Sequence, residues 1–409
     1  MAESQSLLKD SDFMKFWVGQ SVSEFGSQFS PLAIGAIAVL TLGATSLQLG
    51  ILSFLNTIAF LTLGLLVGVW TDRHRRRRIM ILADFGRFLV LFSIPISAIF
   101  FHVTMNLLYA VTLLAGVLTC FFEIAYQAYV PSLVEKFKIV DANSKLETTR
   151  SLANSAGPTA AGFVIRLVTA PMAVLGDTLG YLTSSLSLLW IKRPESVDKG
   201  TPRRSTWHEI REGLDLVWKD ARLRAIAATT AFANFFSTAY GAIAYKYLFD
   251  NLQMSTIAVG AAAGIGSIGG VIGALLASRF IRSIGLGRTI VLGSLCGGLF
   301  MVSIYFAVPS DAFLVVLVAQ FLTLFGILLY NVPQVSYRQA LIPKELQGRL
   351  NATMRTIVWG VMPIGGLVGG IVGQVIGVHA TIGLMTLLSA FPFLFILFSP
   401  VVRVRDFPE

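Results

Sequence analysis

Apolar residues along the chain gather in runs of about 20, the length that crosses a hydrocarbon core as an α-helix. Runs near 14–40, 48–70, 79–101, 106–128, 146–168 and 171–191 are followed by runs near 224–248, 256–280, 288–308, 312–335, 353–377 and 380–401. This pattern predicts an all-α membrane protein with twelve transmembrane helices, six and six. Between the two sets lies the longest polar stretch, Lys192 to Arg222, where Trp207, Ile210, Leu214, Val217 and Trp218 repeat at helical spacing. An amphipathic helix on the membrane surface fits that spacing, with a plain linker as the alternative. The expected domains are an N-terminal bundle over 1–191, a cytoplasmic linker over 192–222 and a C-terminal bundle over 223–409.

The two sets also repeat each other. Sliding the chain by 208 residues places Gly157-Pro158-Thr159-Ala160-Ala161-Gly162 on Gly365-Gly366-Leu367-Val368-Gly369-Gly370, Asn143 on Asn351, and Tyr129 on Tyr337, without a gap. Both Gly-rich segments fall in the fifth run of their set, so the halves read as copies of one six-helix unit.

Charge fixes the orientation. Lys and Arg stay preferentially on the cytoplasmic side, and with both termini inside, all but Arg87, Arg166 and Lys246 of the 32 basic residues fall there. Topology thus accounts for the net charge of +10, and nucleic-acid binding is not expected. The composition, 55% hydrophobic with 30 Phe and 37 Gly, suits lipid-facing surfaces and close helix contacts. Met1 to Asp12 lacks the basic-then-apolar layout of a cleavable signal peptide, so the first span is expected to insert uncleaved. No phosphate-binding loop, His-Glu-x-x-His or Cys/His metal spacing is present. A cofactor, a metal and enzymatic activity are therefore not expected.

Ionisable groups inside a bilayer are costly and are functional candidates. Glu24 lies in the first span with Gln20, Ser23, Ser27 and Gln28 nearby, and is the first candidate for a protonation site; a structural hydrogen bond between helices is the alternative. Asp177 and Glu123 follow it. Asp84 and Arg87, three apart on one helix, read as a structural ion pair with a coupling role as the alternative. Candidate cavity-lining residues in the first half are Gln20, Gln28, Asn56, Tyr126 and Asn154. In the second half they are Asn234, Tyr240, Gln320, Asn331, Arg355 and Trp359. Such a lining suits an apolar or weakly basic ligand.

Two motifs add a resemblance. Gly68-Val69-Trp70-Thr71-Asp72-Arg73-His74-Arg75-Arg76-Arg77, between the second and third runs, resembles the loop signature G-x-x-x-D-R-x-x-R-R of the major facilitator superfamily. Ala153 to Gly162, with Gly157, Pro158 and Gly162, resembles the antiporter signature G-x-x-x-G-P-x-x-G-G, two of whose glycines are alanine here. The segments Trp17 to Ser23, Ala83 to Arg87 and Ile210 to Leu214 are similar to the macrolide-efflux and siderophore-exporter branch. The resemblance implies two pseudo-symmetric bundles built from inverted three-helix repeats, a cavity opened alternately to each side, and proton-driven export from the bacterial inner membrane. Protons, membrane lipids and a small amphiphilic substrate are the expected partners of a monomer. Lipid or lysophospholipid flipping, siderophore export and a non-transporting receptor or scaffold remain alternatives. In the gate motif, Gly68 is expected to allow close helix packing, and Asp72 to cap a neighbouring helix within a latch that stabilises the outward-open state, with Arg73, Arg76 and Arg77 pairing acids or lipid phosphates.

Overall fold

A computed structural model describes residues 7–135, 138–195 and 206–407, and every predicted run is mainly helical, several with a break inside. In the first half, α1 (Ser11–Gly26), α2 (Phe29–Ala36) and a π-turn over Ile37–Thr41 make the first span. Next come α3 (Ser46–Thr62) with α4 (Gly64–Arg73), then α5 (Arg76–Phe100), α6 (Met105–Leu133) and α7 (Ile139–Val168), and finally α8 (Ala170–Ala173) with α9 (Leu175–Leu189). After α10 (Thr206–Lys219), the second half runs through α11 (Ala221–Lys246) with a π-turn over Tyr247–Asn251, α12 (Thr256–Ile284) and α13 (Leu286–Leu299). It closes with α14 (Ala312–Leu341), α15 (Lys344–Ile376), α16 (Val378–Ser389) and α17 (Phe393–Leu397).

Among the described residues, seven helical stretches are long and apolar enough to cross a membrane by length and composition alone. The other predicted runs fall short for visible reasons. The first is broken at Ser27 and Gln28, the second at Leu63 and the sixth at Val174, whereas α7 carries Glu147, Arg150 and Asn154 and α11 carries Thr229, Thr230 and Asn234. Polar residues inside a span mark an interior that does not face lipid.

The duplication is visible in the backbone. After the first span, Leu42 N–H and Ala44 N–H reach Ile37 O and Ala38 O at 3.0 and 2.8 Å. In the second half Leu252 N–H and Met254 N–H reach Tyr247 O and Leu248 O at 3.0 and 2.9 Å. Gly43 and Gln253, at matching places, both have positive φ (58° and 51°). Thr45 and Ser255 then cap the following helices with their hydroxyls.

The fifth-to-sixth corner repeats too, with Thr169 (φ 124°, ψ 158°) in the first half and Gly377 (φ 88°, ψ 158°) in the second. This region of backbone space is essentially reserved for glycine. Thr169→Gly is therefore expected to stabilise the protein by about 1 kcal/mol, read as a higher melting temperature in detergent, and Gly377→Thr to lower it. A Cβ at Gly377 would meet nothing within 4 Å, so the second effect isolates the backbone term.

The chain divides into two compact units, Met1–Ala44 with Leu55–Gly200, and Thr45–Phe54 with Thr201–Glu409. The start of α3 belongs to the second unit because Gly50 packs on α15, where an added Cβ would stand 2.6 Å from Gly370 Cα. In the first unit, α1 packs on α7 and α9, and α5 on α6 and α9. Phe13, Phe16, Met80, Leu133 and Leu188 are buried together at one end of it. In the second unit, α12 and α13 pack on α14, and α11 on α15. There the glycine ladders are helix-crossing faces. An added Cβ would come within 2.4 Å of Phe235 O at Gly365, 2.1 Å of Ala239 O at Gly369, and 2.0 Å of Phe321 O at Gly269.

The amphipathic stretch is helical as α10, and it packs on α15 with Val217 buried while Leu214 and Trp218 stay exposed. The Trp207 and Ile210 side chains lie outside the described residues. Asp220 caps α11 and accepts from the Arg222 guanidinium at 2.7 Å, which holds its carboxyl below the usual carboxylate range. A depressed acid contributes stability at neutral pH and loses it only as pH falls through the lowered value.

Candidate functional site

The first unit has a charged interior. Glycines let α1 and α9 approach closely: a Cβ at Gly26 would be 2.6 Å from Gly176 O, and one at Gly180 would be 3.0 Å from Ser23 Cα. This contact brings Gln20 to Ser184, whose Oγ accepts from Gln20 Nε2 at 2.7 Å and donates to Asp84 Oδ2 at 2.5 Å. Arg87 Nη2 donates to Asp84 Oδ1, closing an ion pair in which both side chains are almost wholly buried. The Arg87 guanidinium is sandwiched between the rings of Phe122 and Tyr181, 4.2 and 4.1 Å from their centroids. Asp177, 2% exposed, stands beside Ser30 and Tyr181 and within electrostatic reach of Arg87. Its Oδ1, Ser30 Oγ and Arg87 Nε are buried without hydrogen-bond partners.

A second feature of this unit is a cavity of about 260 Å³ at Glu24, lined by Gln20, Tyr126, Asn143, Glu147 and Arg150 among others. Arg150, from α7, lies closest in charge terms to Glu24, with Glu123 and Glu147 also near. The first span offers Glu24 no basic partner within a turn; the cation comes from a helix more than a hundred residues away. Glu147 and Arg150 were not among the sequence candidates. Their signal was the spacing Asn143, Glu147, Arg150, Asn154, one polar face of a helix.

The second unit differs. Its interior cavity, about 110 Å³, is lined by Asn234, Tyr240, Asn331, Thr230, Tyr330 and Phe236 among others, and among the described residues no Asp, Glu, Lys, Arg or His lines it. Thr230 Oγ1 and Tyr330 Oη are 2.6 Å apart, and Asn234 Nδ2 donates to Val358 O at 3.0 Å.

The profile of the Major Facilitator Superfamily matches residues 16–366. The chain belongs to this family. It is 25% identical over 382 residues to the multidrug efflux pump Tap of Mycolicibacterium fortuitum, spanning 90% of this chain and 91% of the pump. It is 22% identical over 372 residues to macrolide efflux protein A of Streptococcus pyogenes, with 90% of each chain covered. Its fold matches that of a bacterial homologue of the iron transporter ferroportin, solved in an inward-facing state, with a TM-score of 0.74 at 17% identity over 96% of this chain and 99% of that one. This facilitator is thus a multi-pass membrane transporter and not an enzyme.

Within the facilitator fold, the predicted residues separate. Gln20, Glu24 and Tyr126 meet at the first cavity, and Asn234, Tyr240 and Asn331 at the second. Gln28 instead fills the space over Gly157, and Gln320 that over Gly266, so both serve helix packing. Asn56 and Asn154 are exposed and line neither cavity. Arg355 stacks on Trp359, 4.3 Å from its ring centroid. Glu123 is half-buried near the Glu24 cavity. Helix α7 continues through Pro158, with Gly157 and Gly162 buried.

In the gate motif, a Cβ at Gly68 would meet nothing within 4 Å among the described residues. Asp72's side chain lies outside the described residues. Arg73 ends α4. Arg76 and Arg77 start α5, and their N–H groups donate to the two oxygens of Glu195 at 2.8 and 3.1 Å. A carboxylate there offsets the positive end of the helix. At the matching place in the second half, Leu286 and Gly287 donate to the carbonyls of Arg405 and Val404 at 2.9 and 2.8 Å. Sequence reasoning missed Glu195 because its partners lie more than a hundred residues upstream.

Proposed function

We propose that this facilitator exports small lipophilic or amphiphilic compounds by alternating access, in exchange for protons, as a monomer in the bacterial inner membrane with both termini cytoplasmic. The observation that carries the reading is the division between halves. Carboxylates that can take up protons, Glu24, Asp84 and Asp177, lie in the interior of the first, whereas the cavity of the second offers only hydroxyl, amide, aromatic and apolar groups. A neutral, aromatic-lined pocket suits an amphiphile, and buried acids suit a proton. The names of the relatives point the same way.

Glu24→Gln mimics the protonated acid. In proteoliposomes it is expected to keep downhill exchange of erythromycin while losing at least about tenfold of the uptake driven by a pH gradient. Wild-type gradient-driven uptake in this variant would remove Glu24 from the coupling.

A second reading, lipid movement, draws on an apolar groove of about 830 Å³ lined by Phe232, Phe391, Phe395 and Phe398, with Arg224 among its residues. Translocation of a fluorescent lysophospholipid, scored by dithionite quenching, separates the two.

A further inference from the structure

The interior of the first unit holds a charge imbalance. Asp84 and Asp177 are both buried, and Arg87 is the cation that reaches both. Fully ionised, the three buried groups would leave one uncompensated negative charge. Such a charge is avoided by binding one monovalent cation, of which the proton is the smallest.

The hydrogen bonds show where that proton goes. Asp84 accepts from Arg87 and from Ser184 Oγ, so both of its oxygens are engaged as a carboxylate. The Tyr181 and Ser30 hydroxyls face the Asp177 carboxyl, yet its Oδ1 accepts no hydrogen bond, and Ser30 Oγ and Arg87 Nε make none. A protonated Asp177 needs no cation beside it, and its O–H has Ser30 Oγ for a neighbour. We infer that Asp177 holds one exchangeable proton, and that its release is relayed through Arg87, Asp84, Ser184 and Gln20 to the cavity at Glu24.

The relay follows from the geometry. When the Asp177 O–H bond breaks and the proton passes to water, the new carboxylate attracts Arg87, whose Nε–H lacks an acceptor. The Phe122 and Tyr181 rings contact the guanidinium without a hydrogen bond to fix it, 4.2 and 4.1 Å from its carbon to their centroids. Movement toward Asp177 loosens Asp84, which holds Ser184, which holds Gln20, and Gln20 lines the Glu24 cavity. Other groups facing the site are few. Helix α2 brings Ser30, α9 brings Tyr181, α5 brings Asp84 and Arg87, and α1 packs on Asp177 through Gly26, with Glu24 the nearest acid on that helix. The assignment rests on the proton-exchange reading above and says which acid carries the proton.

Infrared difference spectroscopy of the full-length protein in liposomes, titrated from about pH 5 to about pH 9, tests it without a transported substrate. Wild type should show carboxylic-acid C=O absorption that disappears as pH rises, with one band, distinct from any lost in Glu24→Gln, missing in Asp177→Asn and restored at a shifted position in Asp177→Glu. If Asp177→Asn does not fold, a shift of the band in Ser30→Ala, which removes only the neighbouring hydroxyl, supports the assignment, and an unmoved band overturns it. Absorption that persists unchanged in Asp177→Asn, or a band that sodium displaces when it replaces choline at constant pH, would also overturn it, the latter by making this a sodium site. Wild type that shows the Asp177 band yet transports without using a pH gradient would support the assignment and sink the coupling reading. Wild type coupled to protons whose band survives Asp177→Asn would do the reverse.

Discussion

Arg87→Leu is expected to cost about 3–5 kcal/mol of stability, because removing one partner of a buried ion pair leaves the other charge without compensation. Asp84, at 0% exposure, would have to stay charged with the Ser184 hydroxyl alone or take up a proton, and either way loses its ion pair. The two rings that now sandwich the guanidinium would also lose their cation. Thermal unfolding in detergent should show a large drop in melting temperature or little folded protein, and adding Asp84→Asn should recover much of it by removing the stranded charge. A melting temperature within the scatter of wild type would mean that the pair contributes nothing to folding. Arg87→Lys should be intermediate, since an ammonium keeps the charge but not the planar stacking surface.

The second large effect lies in the other unit. Gly369→Leu would place a Cβ 2.1 Å from the backbone oxygen of Ala239, where α15 crosses α11. Backbone cannot move aside as a side-chain tip can, so the helices must separate along the ladder that also includes Gly365. Overpacking of this kind costs about 1–3 kcal/mol and more where the clash is with main chain. Gly68→Ala, in the best-known motif of the family, is the contrast. Among the described residues nothing would meet a Cβ there, so the same assay should record a change within about 0.5 kcal/mol. Equal losses in the two variants would contradict the packing assigned to the ladder.

Spans and duplication were legible in the sequence because both are local. Run length identifies a membrane helix without knowledge of its neighbours, and a constant offset identifies a copy. The corner residues show how far the copying went. Gln253 keeps the left-handed turn of Gly43, and Thr169 keeps the extended corner of Gly377, although neither is the residue that such backbone prefers. What the sequence could not show was which polar groups meet. Asp84 finds Ser184 a hundred residues later, Glu24 finds Arg150 on another helix, and Glu195 reaches back to the start of α5. Periodicity assigns a residue to a face of its helix, but the crossing decides whether that face meets a cavity or a glycine. Gln28 and Gln320 share the chemistry of Gln20 and ended over Gly157 and Gly266, while Gln20 joined the buried network. The Asp84 and Arg87 pair, read as structural from its spacing, turned out to be wired to Gln20 and to stand near Asp177. That connection makes its coupling role worth testing.

Proton-driven export is tested most directly by following wild-type protein in proteoliposomes with an imposed pH gradient and no ATP, using erythromycin and tetraphenylphosphonium as probes. Concentrative movement of at least one probe, opposite to the proton flux and collapsed by nigericin, is the predicted result. Failure of both probes to move in protein-containing vesicles, or accumulation that survives nigericin or requires ATP, would contradict it.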